Sequence, residues 1–365
     1  MVIDVVGNLF IMLFCVYLLA IISDSFFIIS LDRIARELKL SDEVAGASLM
    51  AVGSSAPELC IALIALAQGG GAHSDVGIGT IVGSAVFNIL VITGLAAIIA
   101  NDLKIDMFDV RRDTFYYLAS IAYLFVIFYD GKVNTLEAVV GIVAYIGYVI
   151  LLITLKDPTP SKHQKTEKEP EPTPYPHSTD NLYRKVEGVI VRGIKMITGA
   201  PSKNYVWTFF VAIVFIVLLS YVLVEATINF AVALNISPVI VALTLLAAGT
   251  SAPDLISSID VAKDGRGGMA VANAIGSDIF DVFIGLGVPW LIALLVLRPG
   301  EDIIVGTDGL WMSIFLLVGT VLVLYVFLST QRTLTRREGV ILLLLYAAYI
   351  IYTIAATPTA TTATG

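Results

Sequence analysis

The chain has 365 residues, of which 58% are hydrophobic and only 14% charged, with a formal net charge of −8. A soluble domain carries about 25% charged residues, so this composition excludes a soluble globular chain. It shows no nucleic-acid-binding signature and no soluble catalytic domain, and it is not expected to be an enzyme. Continuous apolar runs near or above about twenty residues recur throughout, which indicates a polytopic helical membrane protein. The runs do not alternate and are far longer than a barrel strand, which argues against a β-barrel.

The apolar segments fall at roughly 5–28, 42–68, 76–100, 114–129, 136–155, 206–232, 237–262, 269–297, 309–329 and 339–357. The first begins without a basic flank and without a small-residue cleavage site, and reads as a retained span. Between it and the second, Ser30 to Glu43 carries Leu31, Ile34, Leu38 and Leu40 among charges, which suggests a short interfacial helix. Cys15 and Cys60 both lie inside spans and read as packing residues. After the fifth span comes a polar insert, 156–205. Residues 157–180 are rich in Pro, Thr, Lys and Glu and cannot bury a core, so disorder is expected there. Residues 181–198 place Val186, Val189, Ile190, Ile194 and Ile197 opposite Arg184, Lys185, Arg192 and Lys195. That suits a basic amphipathic helix on the inner membrane surface, or a linker with a little helix. The tail after Pro358 is Thr and Ala and is expected to fray.

Five spans on either side of the insert is an odd number per half. Homologous halves must then lie in opposite orientations, and inverted repeats place a substrate site near the midplane, between discontinuous helices. The expected fold is therefore all-α and polytopic, with ten transmembrane helices as two inverted-topology five-helix repeats. The first repeat is 1–155 with its core at about 42–100, the linker is 156–205, and the second repeat is 206–365 with its core at about 237–297. With the N-terminus outside, only Lys132 and Arg298 of the 22 Lys and Arg face outward. The positive-inside rule thus supports ten spans, both termini outside and a cytoplasmic linker. The inner or plasma membrane is the expected location.

One module occurs twice. Gly53-Ser54-Ser55-Ala56-Pro57-Glu58 matches Gly249-Thr250-Ser251-Ala252-Pro253-Asp254. Gly83-Ser84-Ala85-Val86-Phe87-Asn88 matches Gly276-Ser277-Asp278-Ile279-Phe280-Asp281. Acids inside spanning sequence are costly and are functional by default. A proline within a helix has no N–H and leaves the carbonyl four residues back unpaired, here that of Gly53 or Gly249. Glu58 and Asp254 follow the prolines directly, so carboxylates, freed carbonyls and the hydroxyls of Ser54, Ser55, Thr250 and Ser251 make an all-oxygen donor set. Such a set favours hard cations, and a flexible cage suits calcium better than magnesium. Two facing carboxylates neutralise one divalent ion or two monovalent ions, which is the equivalence an antiporter needs. Asn88 and Asp281, with Ser84 and Ser277 four residues earlier, share a helix face directed into the bundle. Asp278 lies about 100° away around its helix and either joins that face or turns elsewhere.

A single proline kink is commonly structural, whereas two kinks with matching flanks indicate a built site. Asn88 would also serve as interhelical glue. Asp24, Asp260 and Asp264 lie near inner span ends, where solvated or interfacial roles are expected, and His73 sits in an outer Gly-rich loop.

At these motifs the sequence resembles the cation/calcium exchanger superfamily, most closely its potassium-dependent sodium/calcium exchangers. The segments Glu43 to Glu58, His73 to Asn88 and Gly276 to Trp290 carry the likeness. The resemblance implies an antiporter that exports calcium against sodium, with calcium held by Glu58 and Asp254. Ser54, Ser55, Thr250 and Ser251, with Ser84 and Ser277, would help ligate sodium and calcium, and Asn88 matches a cation-site residue. Asp281 matches an aspartate linked to potassium dependence, so potassium coupling is suggested. At Asp278 the family usually has Asn, and an extra charge there bears on stoichiometry or proton involvement. The implied partners are inorganic cations and the lipid bilayer, with calcium, sodium and potassium as transported ions and no resident cofactor.

The close rival is a proton-coupled calcium antiporter, although such relatives usually carry Gly-Asn-x-x-Glu in place of the Ser-Ala-Pro-acid break. A cation channel would use the same cage. An intramembrane aspartyl protease, suggested by Tyr129-Asp130, lacks a Gly-x-Gly-Asp partner and leaves the duplication unexplained.

Overall fold

The computed structural model describes residues 2–37, 51–68, 73–100, 103–104, 107–154, 182–199, 204–263, 267–305, 310–331 and 333–356. Among them, eight helices are long and apolar enough to cross a membrane: Val2–Ile34, Ser74–Ala100, Thr135–Thr154, Tyr205–Leu234, Pro238–Lys263, Gly268–Leu297, Leu310–Ser329 and Arg336–Ala355. Two further helices lie where spans two and four are expected. Ala56–Ala67 has 12 residues. Met107–Ile127 has 21, and its opening turns carry Asp109, Arg111, Arg112 and Asp113.

The first helix departs from expectation. Val2–Ile22 runs through a π turn at Ser23–Ile28 straight into Ile29–Glu37. A separate interfacial helix from Ser30 is not formed, because neither Gly nor Pro interrupts the chain after Gly7 up to Glu37. Its amphipathic end carries an Arg33–Glu37 ion pair at 3.8 Å. Residues 38–43 of that expected helix lie outside the described residues, as do 157–180 and the tail after Pro358.

The duplicated segments form the centre of the bundle. The Ser74–Ala100 span is 89% buried, whereas Thr135–Thr154 and Arg336–Ala355 are only 22% buried. Small residues explain why the central helices approach so closely. A Cβ on Gly77 would come within 2.7 Å of Ala62 Cα, and one on Gly79 within 3.2 Å of Ala242 Cβ. The largest apolar cluster surrounds these helices and includes Ile81, Ile89, Leu90, Tyr117 and Trp290. A second cluster joins the first helix to Tyr205–Leu234 through Met12, Ile22, Phe26, Ile216 and Leu223. Cys15 and Cys60 are free thiols.

Within the insert, a helix covers Leu182–Thr198. Ile190 and Ile194, joined by Val191, pack against the second cluster, while Val189 and Ile197 are exposed. Thr208 Oγ1 donates to the Thr198 carbonyl at 2.9 Å and ties this helix to the next. Tyr205–Leu234 then stops at Asn235, whose φ of 55° is left-handed, and Ser237 caps the helix opened by Pro238.

Two short antiparallel pairings tie the halves together. Leu103 and Lys104 pair with Leu334 and Thr333. Lys132 and Val133 pair with Ile304 and Ile303. In each pairing, the connection after the third segment of one half meets the connection after the fourth segment of the other.

Candidate functional site

Both helix breaks form at the duplicated hexapeptides. Ser55 leaves helical geometry at φ −95°, ψ 9°, and Ser251 does so at φ −81°, ψ 1°. The prolines follow within the first turn of the next helix, where a missing N–H costs nothing. The carbonyl of Gly53 is indeed freed by Pro57, but a protein group takes it: Ser23 Oγ donates to it at 2.9 Å. Ser23 lies in the π turn of the first helix, and no sequence motif marks it. Ser23→Ala strands that buried carbonyl, and a loss of about 1–3 kcal/mol is expected, read as a lower Tm of the purified protein. An unchanged Tm would show that the contact contributes nothing.

Four carboxylates converge below the breaks, all nearly without exposure: Glu58, Asp254, Asp278 and Asp281. Their arrangement crosses the halves. Thr250 of the second break lies beside Glu58, and Ser54 of the first lies beside Asp254. Ser55 and Ser277 place their hydroxyls 3.0 Å apart, and Ser277 Oγ donates to Asp254 Oδ2 at 3.3 Å. Ser55 also neighbours Asp281. Ser251 is buried, and Ser84 donates its hydroxyl to the Ile81 carbonyl at 2.8 Å. Thr250 Oγ1 makes a longer contact, 3.3 Å, to the Ala247 carbonyl.

The second elements share an unusual backbone feature. The helix changes from α to π at Asn88 in one half and at Asp281 in the other. Such π turns are rare and concentrate at functional sites. Asp278 faces inward, three residues before Asp281 and on the same face. Its Oδ1 accepts from Asn88 Nδ2 at 2.8 Å. No outward option exists, because residues 277–283 are all buried.

At this site one acceptor atom each of Glu58 (Oε2), Asn88 (Oδ1), Asp278 (Oδ2) and Asp281 (Oδ1) is buried without a hydrogen-bond partner. No Lys, Arg or His is buried among the described residues. Buried acceptors of this kind are costly unless a cation meets them. Among the described residues, no three Asp, Glu, His or Cys side chains gather into a metal-holding cluster. A cation held here therefore needs hydroxyl, amide and carbonyl oxygens beside its carboxylates.

Three neighbours were not legible as site residues. Tyr117, from the Met107–Ile127 helix, reaches Asp278 and Asp281, and Tyr145 reaches Asp281. Asp24, expected at a solvated inner span end, is half-buried in the first helix's π turn and lies within electrostatic reach of Asp254. Asp264 lies outside the described residues.

A model of the sodium/calcium exchanger protein family matches residues 8–154 and 204–355. Human sodium/potassium/calcium exchanger 4 is 28% identical, over 94% of this chain and 80% of its own length. A probable sodium/potassium/calcium exchanger of Drosophila melanogaster is 26% identical, over 94% of this chain and 78% of its own. Among solved structures, the sodium-calcium exchanger NCX_Mj soaked with 2.5 mM Na+ and 0.1 mM Sr2+ is 25% identical, with a TM-score of 0.56 over 95% of this chain and 99% of that one. The H+/Ca2+ exchanger CAX is 14% identical, with a TM-score of 0.67 over 95% and 86%, a likeness of fold alone.

Proposed function

The chain belongs to the sodium/calcium exchanger protein family, and from that premise we propose that it exports calcium in exchange for sodium, with potassium as a co-substrate to be tested. Membership makes it a multi-pass membrane protein and a calcium/cation exchanger, which is a transporter and not an enzyme.

The observation that carries the proposal is the crossed oxygen cage. Glu58 faces Thr250, Asp254 faces Ser54, and no buried cationic side chain among the described residues neutralises them. Calcium fills this cage between Glu58 and Asp254, with Ser54, Ser55, Thr250, Ser251 and Ser277 as further oxygen donors. Sodium ions neutralise the same acids together with Asn88, Asp281 and Ser84. An empty cage leaves buried charge uncompensated, so the loaded states are the ones that cross between access to either face.

The proposed architecture is ten spans in two inverted five-helix repeats, 1–155 and 206–365, joined by the 156–205 linker. The crossed contacts and the two reciprocal strand pairings support it. Each is what a two-fold axis in the membrane plane generates. The charge distribution supports both termini outside and the linker in the cytoplasm, and the proposed location is the plasma membrane. The alternative is proton coupling, which draws support from the additional buried carboxylate at Asp278.

The test is calcium flux in reconstituted vesicles under an imposed sodium gradient, with and without potassium. Sodium-driven calcium movement is expected. Its absence, with uptake following a pH gradient instead, would favour the proton-coupled alternative, while a flux indifferent to potassium would remove potassium only.

A further inference from the structure

We propose that Asp278 and Tyr117, held in place by Asn88, form a separate monovalent-cation position beside the Glu58–Asp254 cage. The inference rests on the antiport reading above and extends it to stoichiometry.

The first support is charge. Glu58, Asp254, Asp278 and Asp281 are all buried, and no cationic side chain among the described residues is buried with them. One calcium ion balances two of the four. The other two need counter-charges that the protein itself does not supply.

The second support is the geometry around Asp278. Its Oδ1 is taken by the Asn88 amide at 2.8 Å, while its Oδ2 has no partner. An ionised carboxylate only accepts, so the Asn88 group that meets it must be the NH2. That fixes the carboxylate plane and makes Asn88 a positioning residue. The Tyr117 hydroxyl is fully buried and within hydrogen-bonding reach of Asp278, but it forms no well-aligned bond with that carboxylate or with any other group. An acid whose only role was to staple two helices would use both oxygens. One carboxylate oxygen and a neighbouring hydroxyl are thus left without a well-formed bond, deep in the bundle. A small cation between them satisfies both.

One carboxylate and one hydroxyl suit a single charge, while the divalent ion finds its paired acids at Glu58 and Asp254. An amide in place of Asp278 would leave this position without charge. The extra aspartate therefore raises the monovalent capacity of the loaded site by one.

The test compares wild-type protein with Asp278→Asn and Tyr117→Phe in vesicles. Tracer uptake gives the number of monovalent ions moved per calcium, with sodium and potassium in separate arms. Asp278→Asn is expected to lower that ratio by one in the arm whose ion uses the position. The ratio does not depend on how fast each variant turns over. Tyr117→Phe is expected to keep the ratio but raise the half-saturating concentration of that ion several-fold, with calcium's unchanged. An unchanged ratio in Asp278→Asn, or an unchanged half-saturation in Tyr117→Phe, overturns the proposal. Thermal unfolding of the purified protein without calcium gives a second readout: stabilisation by sodium or potassium should weaken in both variants. That measurement also separates two failures. If wild-type protein moves no calcium against sodium, the antiport reading falls, yet the unfolding shifts still decide whether the position exists.

Discussion

Glu58→Gln and Asp254→Asn are each expected to cut sodium-driven calcium uptake by at least about a hundredfold. Each replaces one of the two carboxylates that face each other across the helix breaks, with little change of shape. Removing one partner from a buried charge set costs about 3–5 kcal/mol. At about 1.4 kcal/mol per tenfold, the loaded state loses between two and four decades of affinity. Stability should move the opposite way. In the empty protein these acids are buried near other acids with no cationic side chain to pair them, so neutralising one relieves a cost. The amide variants are therefore expected to unfold at the wild-type Tm or above it. A general folding defect cannot produce that combination of lost transport and retained stability. Tracer uptake and thermal unfolding on the same preparations check it. Uptake above about a tenth of wild type in both variants would remove Glu58 and Asp254 from the site.

These two acids were legible because an acid directly after a proline inside an apolar run has few structural explanations, and the motif appears twice. Ser277, Asn88 and Asp281 were legible through the duplicated Gly-Ser motif and its helical spacing. Ser23 and Tyr117 were not. A serine in an apolar helix is equally suited to bonding its own preceding turn, and only tertiary packing brings Ser23 to the Gly53 carbonyl. Tyr117 sits in a span with no repeat partner motif, and its role depends on which face of that helix meets Asp278. The π turns at Asn88 and Asp281 have no composition signature, since the flanking residues would serve an α-helix as well. The expected interfacial helix at Ser30 failed for the opposite reason. Its amphipathic composition was read correctly, but composition does not break a helix, and no breaker was present. The fourth helix begins well before its apolar run for the same reason, because a polar opening turn is still helical.

Gly83→Ala is expected to destabilise the protein severely, and Gly276→Ala is not, although the two glycines hold the same place in the duplicated Gly-Ser motif. A Cβ on Gly83 would fall onto the Leu243 carbonyl oxygen, 2.8 Å from its carbon and 2.7 Å from Ala247 Cβ. These atoms are backbone, or fixed directly to backbone, and cannot swing aside. Overpacking of this kind costs about 1–3 kcal/mol or more. It also pushes the Ser74–Phe87 helix away from the 242–250 stretch, and so displaces Asn88 from the acids of the second half. Loss of exchange should accompany the loss of stability. Gly276 has no atom within 4 Å of its Cβ position. Alanine there meets open space in a helix interior, where it gains up to about 1 kcal/mol over glycine. A lower Tm for Gly83→Ala and an equal or higher Tm for Gly276→Ala are the expected readings. Equal behaviour of the two variants would mean that the halves pack alike. The contrast follows from where each motif sits: the first runs against the backbone of the second break, while the second leaves its glycine uncovered. The duplicated motifs agree in sequence and in their crossed contacts but differ in packing, so an added methyl group is expected to be tolerated at Gly276 and not at Gly83.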